Sequence, residues 1–459
     1  MQKRVHLPVT SDEPRQSSIA ADGRRKYVYT ADVTGRFARL RKFVFAGLIA
    51  VWVALPLVTI GGRPLVLLDV ERRRFFLFGA TFNAQDAWLS FFAVTAVGFV
   101  LALSTALWGR VFCGFACPQT VFLDGVFRPI ERLVEGPREQ RIRRDRAPWS
   151  LEKVRKKVTK HALYLLASFV IAHILLSFFV PLSTTLRMVV GSPSEHPAAF
   201  AWAAVVTLAT YLNYAFFREQ ICLVVCPYGR LQASLVDEDS LVVGYDVRRG
   251  EPRGKLKAEG RGDCIDCKRC VVVCPTGIDI RNGLQLDCIG CTACIDACDD
   301  VMDKVGREKG LIRYDAQRAF AGAGPRRFWR PRLAVYAVLG IVGLVATTIA
   351  ITRRTSFEAN VVRASGVPYV IEDGEVRNSF VVHLVNKRDE PATFLIAAEG
   401  VRLAGAPPSV DVGAMSDARV PIVVTTPSDA PIARWHLVVE RVGDGEVLRV
   451  SATLARPRS

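Results

Sequence analysis

Apolar residues gather into five long runs, near 43–60, 88–108, 161–181, 199–217 and 332–352. Each comes close to the roughly 20 residues that a helix needs to cross a hydrocarbon core. The 199–217 run is short, and Tyr211, Tyr214 and Phe216 can anchor its end at the interface. The pattern predicts a polytopic α-helical membrane protein with about five spans. Beyond 353 the texture changes to short β-branched segments at 379–386, 393–398, 419–426, 434–442 and 447–454, separated by Asp-Gly, Pro-Pro and Pro-Ser-Asp turns. Such spacing predicts a C-terminal all-β immunoglobulin-like sandwich, although the Cys-Trp-Cys hallmark is missing. It has no metal-ligand cluster, which points to scaffolding or partner contact. His383 and His436 sit singly on strand patterns and read as structural.

Charge orients these elements. The 459 residues carry a formal net charge of +17, and basic residues flank the apolar runs rather than forming an arginine-aromatic platform, so a nucleic-acid partner is set aside. The arm before the first run holds Lys3, Arg4, Arg15, Arg24, Arg25 and Lys26 and has no apolar h-region, which argues against a cleaved signal peptide. That arm, the 109–160 connection and the 218–331 connection are heavily basic, whereas 182–198 carries only Arg187. The 61–87 connection is intermediate, with Arg72, Arg73 and Arg74 set against Asp69 and Glu71. The positive-inside rule therefore places the N-terminus and both cysteine-bearing connections in the cytoplasm and the C-terminus outside. Arg353 and Arg354 are a small contrary signal.

All twelve cysteines lie between Cys113 and Cys298, as expected for metal ligands on a reducing side. Eight form two copies of C-x2-C-x2-C-x3-C, Cys264 to Cys274 and Cys288 to Cys298. In two-cluster ferredoxins the fourth cysteine of each run crosses to the other cluster. One 4Fe-4S cluster is then expected on Cys264, Cys267, Cys270 and Cys298, the other on Cys288, Cys291, Cys294 and Cys274. Disulfides or two zinc sites fit less well, because a third cysteine two residues on suits no tetrahedral end point.

The other four cysteines reveal a coarse duplication. The second run ends in Trp108-Gly109-Arg110 and leads to Cys113-x3-Cys117-Pro118. The fourth ends in Phe217-Arg218 and leads to Cys222-x3-Cys226-Pro227. Residues four apart share a helix face, so each pair can present two sulfurs just inside the membrane, with the proline bending the chain. If the repeats pack face to face, four thiols converge, a donor set suited to Cu(I) or to another iron-sulfur centre. The bland alternative is four buried, packing cysteines. His173 lies within the third run and is a candidate for a proton, quinone or metal role, since an ionisable residue at that depth needs a reason. His161, at the edge of that run, reads as interfacial. The two are about three and a third turns apart and do not share a face as a bis-His haem pair would.

The stretch Gly262-Asp-Cys-Ile-Asp-Cys267, Cys274-Pro-Thr-Gly-Ile-Asp-Ile-Arg281, Cys288-Ile-Gly-Cys291, Cys294-Ile-Asp-Ala-Cys298-Asp299 and Gly310-Leu-Ile-Arg-Tyr314 resembles the cytochrome c oxidase accessory proteins CcoG, also called FixG or RdxA. The likeness extends through Gly109-Arg110, Cys117-Pro-Gln-Thr120, Ala147-Pro-Trp149, Tyr211-Leu-Asn213, Arg218-Glu-Gln220 and Cys226-Pro-Tyr228, over most of residues 60–318. Asp299, where simple ferredoxins have proline after the last cysteine, is part of the likeness. The resemblance implies a bacterial inner-membrane protein with two 4Fe-4S clusters and a periplasmic immunoglobulin-like domain. It also implies cupric reductase activity supplying Cu(I) for cbb3-type oxidase assembly, with Cys113, Cys117, Cys222 and Cys226 as the catalytic copper-handling set.

The expected domains are a basic arm (1–42), a four-span membrane domain (43–230), a cytoplasmic dicluster ferredoxin-like domain (231–331), a fifth helix (332–352) and a periplasmic β-domain (353–459). Expected partners are the membrane, oxidase-assembly and copper-handling proteins, and an electron donor that the residues do not identify. Two other functions share these features: an electron-transfer subunit of a quinol dehydrogenase with His173 near the quinone, and a copper chaperone whose clusters are structural.

Overall fold

The computed structural model describes residues 27–60, 63–70, 74–83, 86, 88–428 and 434–456. The basic positions Lys3 to Lys26 of the arm, and Arg72 and Arg73, lie outside the described residues. Among the described residues, five helices are long and apolar enough to cross a membrane: Arg36–Leu57, Leu89–Trp108, Leu151–Leu176, Pro197–Phe217 and Pro331–Thr352. All five expected runs are found, but two boundaries differ for a physical reason. The third helix starts ten residues before its apolar run, because Ser150 caps it by accepting from the Lys153 amide at 3.2 Å. Lys157 and Lys160 then lie on the polar first part of the helix and pair with Glu135 at 2.9 and 3.1 Å. The first helix likewise begins at Arg36, through a cap described below. Hydropathy marks where a helix is apolar, and these two helices extend past it.

The chain forms two compact units, residues 1–67 with 92–345 and residues 68–91 with 346–459. The first unit holds the first, third and fourth spans, most of the second and fifth, and all the cysteines. Its cysteine-rich part is built on the antiparallel pair Leu241–Tyr245 and Ile312–Ala316 and the helix Ala293–Lys304. Ile278, Ile280, Ile295, Met302, Leu311 and Ile312 form its small core.

The second unit is a two-sheet sandwich. One sheet runs in the order Arg402–Ala404, Asp417–Pro427, Glu375–Asn386, Phe357–Arg363, and the other Ser409–Val412, Ala392–Glu399, Arg434–Arg441, Val447–Thr453. All five expected strands are present. Their alternating inward residues, with Trp435, Phe394, Phe357 and Phe380, fill the core between the sheets. The connection after the first span, expected only as a loop, contributes a hairpin, Arg74–Leu77 with Ala80–Asn83, to this unit. There the buried Asp86 carboxylate accepts from Arg354 at 2.7 Å and from Lys387 at 2.9 Å. The arginine that ran against the charge pattern is thus the partner of a buried acid.

Candidate iron-sulfur and thiol site

Each half of the cysteine run folds by the same local device. The residues on either side of the second cysteine, Asp266 and Lys268 in one half and Gly290 and Thr292 in the other, all have positive φ. This left-handed backbone turns the loop sharply enough for successive thiols to face one point, and a short helix follows each loop. The cysteines separate into two sets. Cys264, Cys267, Cys270 and Cys298 line one cavity with Arg281, Met302 and Ile312. Cys274, Cys288, Cys291 and Cys294 line a second, which Cys270 also borders, with Thr276, Ile278 and Ile280. Each group thus combines three cysteines of one run with the last cysteine of the other.

Among the described residues, no group of three or more His, Cys, Asp or Glu side chains is arranged to hold a single metal ion. Four thiols spread around a cavity fit the corners of a cluster instead. Burial pushes the Cys270, Cys288 and Cys298 thiols up to about 12, so thiolates in these cavities require the positive charge of a metal core.

The second cysteine set stands against the second cavity. Cys113 and Cys222 pack against a small buried cluster made of Val273, Ile289, Cys291, Ala293 and Ala297. A Cβ on Gly114 would meet the Gly290 carbonyl oxygen at 2.6 Å and the Cys291 Cα at 3.0 Å, so only glycine permits this approach. The repeat's proline acts as expected. Cys113 lies within the helix Val111–Phe115 and Cys222 in the π-helical turn Ile221–Val225, while Cys117 and Cys226 are extended N-caps of the helices opened by Pro118 and Pro227. Each pair is therefore split between two helices. The four thiols are mutual neighbours in electrostatic terms, and among the described residues no three of them are arranged to hold a single metal ion.

Burial raises the Cys113 thiol to about 11 and the Cys222 thiol to about 12, each helped by neighbouring thiols. Burial also raises Cys117, opposed by the Gln119 and Thr120 amides of the helix start. Cys113 donates to Gln232 Oε1 at 3.2 Å, and the buried Nε2 of Gln232 has no partner among the described residues. Exchanging the amide O and N would point that donor at a metal-bound Cys113 thiolate.

Three polar ties join these segments. Arg110 donates to the Cys288 carbonyl at 3.1 Å, to the Gly229 carbonyl at 3.0 Å and to the Leu286 carbonyl. Asp296, inside the second cysteine motif, accepts from the Phe37 and Ala38 amides at 3.3 and 2.7 Å and so caps the first span. Arg218, the repeat counterpart of Arg110, is fully buried and pairs with Glu131 at 3.0 Å. Burial would raise the Glu131 carboxyl, but Arg218, Arg141 and the Tyr27 hydroxyl hold it far below the usual carboxylate range. Arg110 and Arg218 were legible as a repeated position. Asp296, Glu131 and Gln232 were not, since a single acid or amide on a helix has no spacing signature.

The structure does not bring the histidines to the thiols. His161 shares a 3.0 Å hydrogen bond with the Tyr211 hydroxyl. His173 lines a separate cavity between the third and fourth spans. His383 pairs with Asp417 at 2.8 Å on the sandwich.

Three sequence families match the chain. A 4Fe-4S dicluster domain matches residues 217–317, a 4Fe-4S binding domain matches 89–137, and the IG-like fold at the C-terminal of FixG matches 347–456. Protein RdxA of Cereibacter sphaeroides is 37% identical over 410 residues, covering 86% of this chain and 87% of the relative. Protein RdxB of the same organism is 36% identical over 454 residues, covering 95% and 93%. The nitrogen fixation protein FixG of Rhizobium meliloti is 35% identical over 422 residues, covering 82% and 80%.

Proposed function

The chain belongs to the FixG/RdxA family of membrane iron-sulfur oxidoreductases, and from that premise we propose that it is a cupric reductase, converting Cu(II) to Cu(I) for assembly of a cbb3-type oxidase. The observation that carries this reading is the packing of Cys113 and Cys222 against the small buried cluster that contains Cys291, which sets a soft-metal donor set beside the second cluster cavity. When bound, two 4Fe-4S clusters on the eight crossed cysteines supply one-electron transfer. The chain's own groups do the rest. Cys113, Cys117, Cys222 and Cys226 receive copper as substrate, and each Cu(II) takes up one electron to become Cu(I). Thiolate ligation then favours the reduced ion, and each buried thiol that binds it releases a proton. Gln232 steadies the Cys113 sulfur. The basic connections support a bacterial inner-membrane protein whose N-terminus and cysteine-bearing segments face the cytoplasm and whose sandwich faces the periplasm, available to copper-handling and assembly proteins.

A second reading has an observation of its own: the 4Fe-4S binding domain match at 89–137 covers Cys113 and Cys117. On this reading the four thiols hold a further cluster. Iron and sulfide quantitation on anaerobically purified protein, combined with a Cu(II) reduction assay, separates the two. Cupric reduction with about eight iron atoms per chain, from two four-iron clusters, supports the copper site. Iron markedly above that gives the thiols to a third cluster, and dithionite-reduced protein that leaves Cu(II) unreduced overturns the cupric reductase reading.

A further inference from the structure

A large cavity of the first unit, ≈ 390 Å³, lies between the third and fourth spans at the end away from the cysteines. Its walls are apolar (Leu165, Phe169, Phe200, Ala204 and Leu208 among them), with His173, Ser192 and His196 as polar points. Along the third helix it reaches from Leu165 to His173, eight residues or about 12 Å. Copper is a poor occupant: the volume far exceeds an ion, and among the described residues no three metal-ligating side chains gather here. A lipid tail would give the imidazoles no role. An amphipathic ring with oxygens at opposite edges and an isoprenoid tail suits both the apolar walls and the polar points.

We infer that this cavity binds a membrane quinol and that His173 takes one of its protons. His173 Nδ1 lies 2.8 Å from the Phe169 carbonyl, which can only accept, so Nδ1 carries hydrogen and neutral Nε2 remains an acceptor. The Phe169 ring, 3.9 Å away between centroids, holds the plane of the imidazole. Oxidation to quinone breaks two O–H bonds and releases two protons and two electrons. One proton goes to His173 Nε2 and the other to water at the Ser192 and His196 mouth. The electrons leave singly to iron-sulfur acceptors of this chain. An aromatic series leads that way: Tyr164, next to Leu165, meets Phe127 at 5.0 Å, and Phe127 stacks on Tyr214 at 4.2 Å. Tyr214 is within electrostatic reach of Cys117 and Cys222. Two one-electron stores also match a two-electron donor to a one-electron substrate such as Cu(II). The inference rests on the electron-transfer part of the proposed function and is independent of copper.

The test uses the cluster-loaded full chain in detergent, mixed anaerobically with decylubiquinol, with cluster reduction followed by visible bleaching and electron paramagnetic resonance. A photoreactive azidoquinone maps the site by mass spectrometry. The expected result is quinol-driven reduction that slows about a hundredfold in His173→Gln and is lost in Ala204→Trp, which fills the cavity. Dithionite should still reduce both variants fully, which reports their folding, and the label should fall within residues 165–208. Clusters that stay oxidised with quinol, wild-type rates in both variants, or labelling elsewhere overturns the inference. Quinol-driven reduction without any Cu(II) reduction would overturn the copper reading and leave the quinol site standing.

Discussion

The two cysteine sets of this chain use the same atoms under different local rules. In the dicluster segment, eight thiols are placed by short loops whose paired left-handed residues, Asp266 with Lys268 and Gly290 with Thr292, recur at matching positions. Each set of four closes on its own cavity. At the membrane exits, four thiols are placed by helix ends, with a proline splitting each pair and no loop to gather them. They rely on packing against the dicluster segment, through Gly114 on Gly290 and Arg110 on the Cys288 carbonyl. The first arrangement suits permanent ligation of a cluster. The second leaves sulfurs adjacent but unclosed, which suits an ion that arrives and leaves.

The sharpest way to break this comparison is to remove one ligand from each set. Cys291→Ser should roughly halve the iron content, from about eight to about four atoms per chain, because one four-iron cluster is lost. Cys222→Ser should leave iron unchanged and abolish copper retention, both read by metal quantitation. Next in size is the buried charge pair that fixes the second exit. Glu131→Gln strands Arg218, which is 2% exposed, and should destabilise the first unit by about 3–5 kcal/mol, measured by denaturant unfolding in detergent. The conservative Glu131→Asp should recover part of this. Gly114→Ala forces a Cβ to within 2.6 Å of a backbone oxygen and should cost about 1–3 kcal/mol. It should also slow Cu(II) reduction while leaving the cluster spectrum intact, since it separates the two sets without touching a ligand. The smallest effect is expected for Gln232→Leu, which removes one thiol hydrogen bond. It should lower stability by about 0.5–1.5 kcal/mol and weaken copper retention more than it lowers iron content.

What was readable from the sequence follows the range of the forces involved. The cluster sets were legible because ligation imposes fixed local spacing, and the five spans because a bilayer demands long apolar runs. Five strands of the sandwich showed as alternation. Phe357–Arg363, which begins just after the fifth span, and the short Val370–Glu372, Arg402–Ala404 and Ser409–Val412 did not stand out. The helix starts at Arg36 and Leu151 were hidden because they depend on a carboxylate 258 residues away for one and a serine cap in a polar stretch for the other. The Arg218–Glu131 pair and the contact of Gly114 with Gly290 are long-range in the same sense. The duplicated C-x3-C-P motif told where the thiols would lie, but their separation onto different helices required the packing.

The most direct test of the account is a single-turnover measurement on anaerobic, dithionite-reduced protein mixed with Cu(II). It compares the wild type with the variant carrying Cys113→Ser, Cys117→Ser, Cys222→Ser and Cys226→Ser together. The account predicts equal iron in both proteins, rapid Cu(I) formation with matching cluster reoxidation in the wild type, and neither in the variant. Equal rates of Cu(I) formation in the two would contradict it.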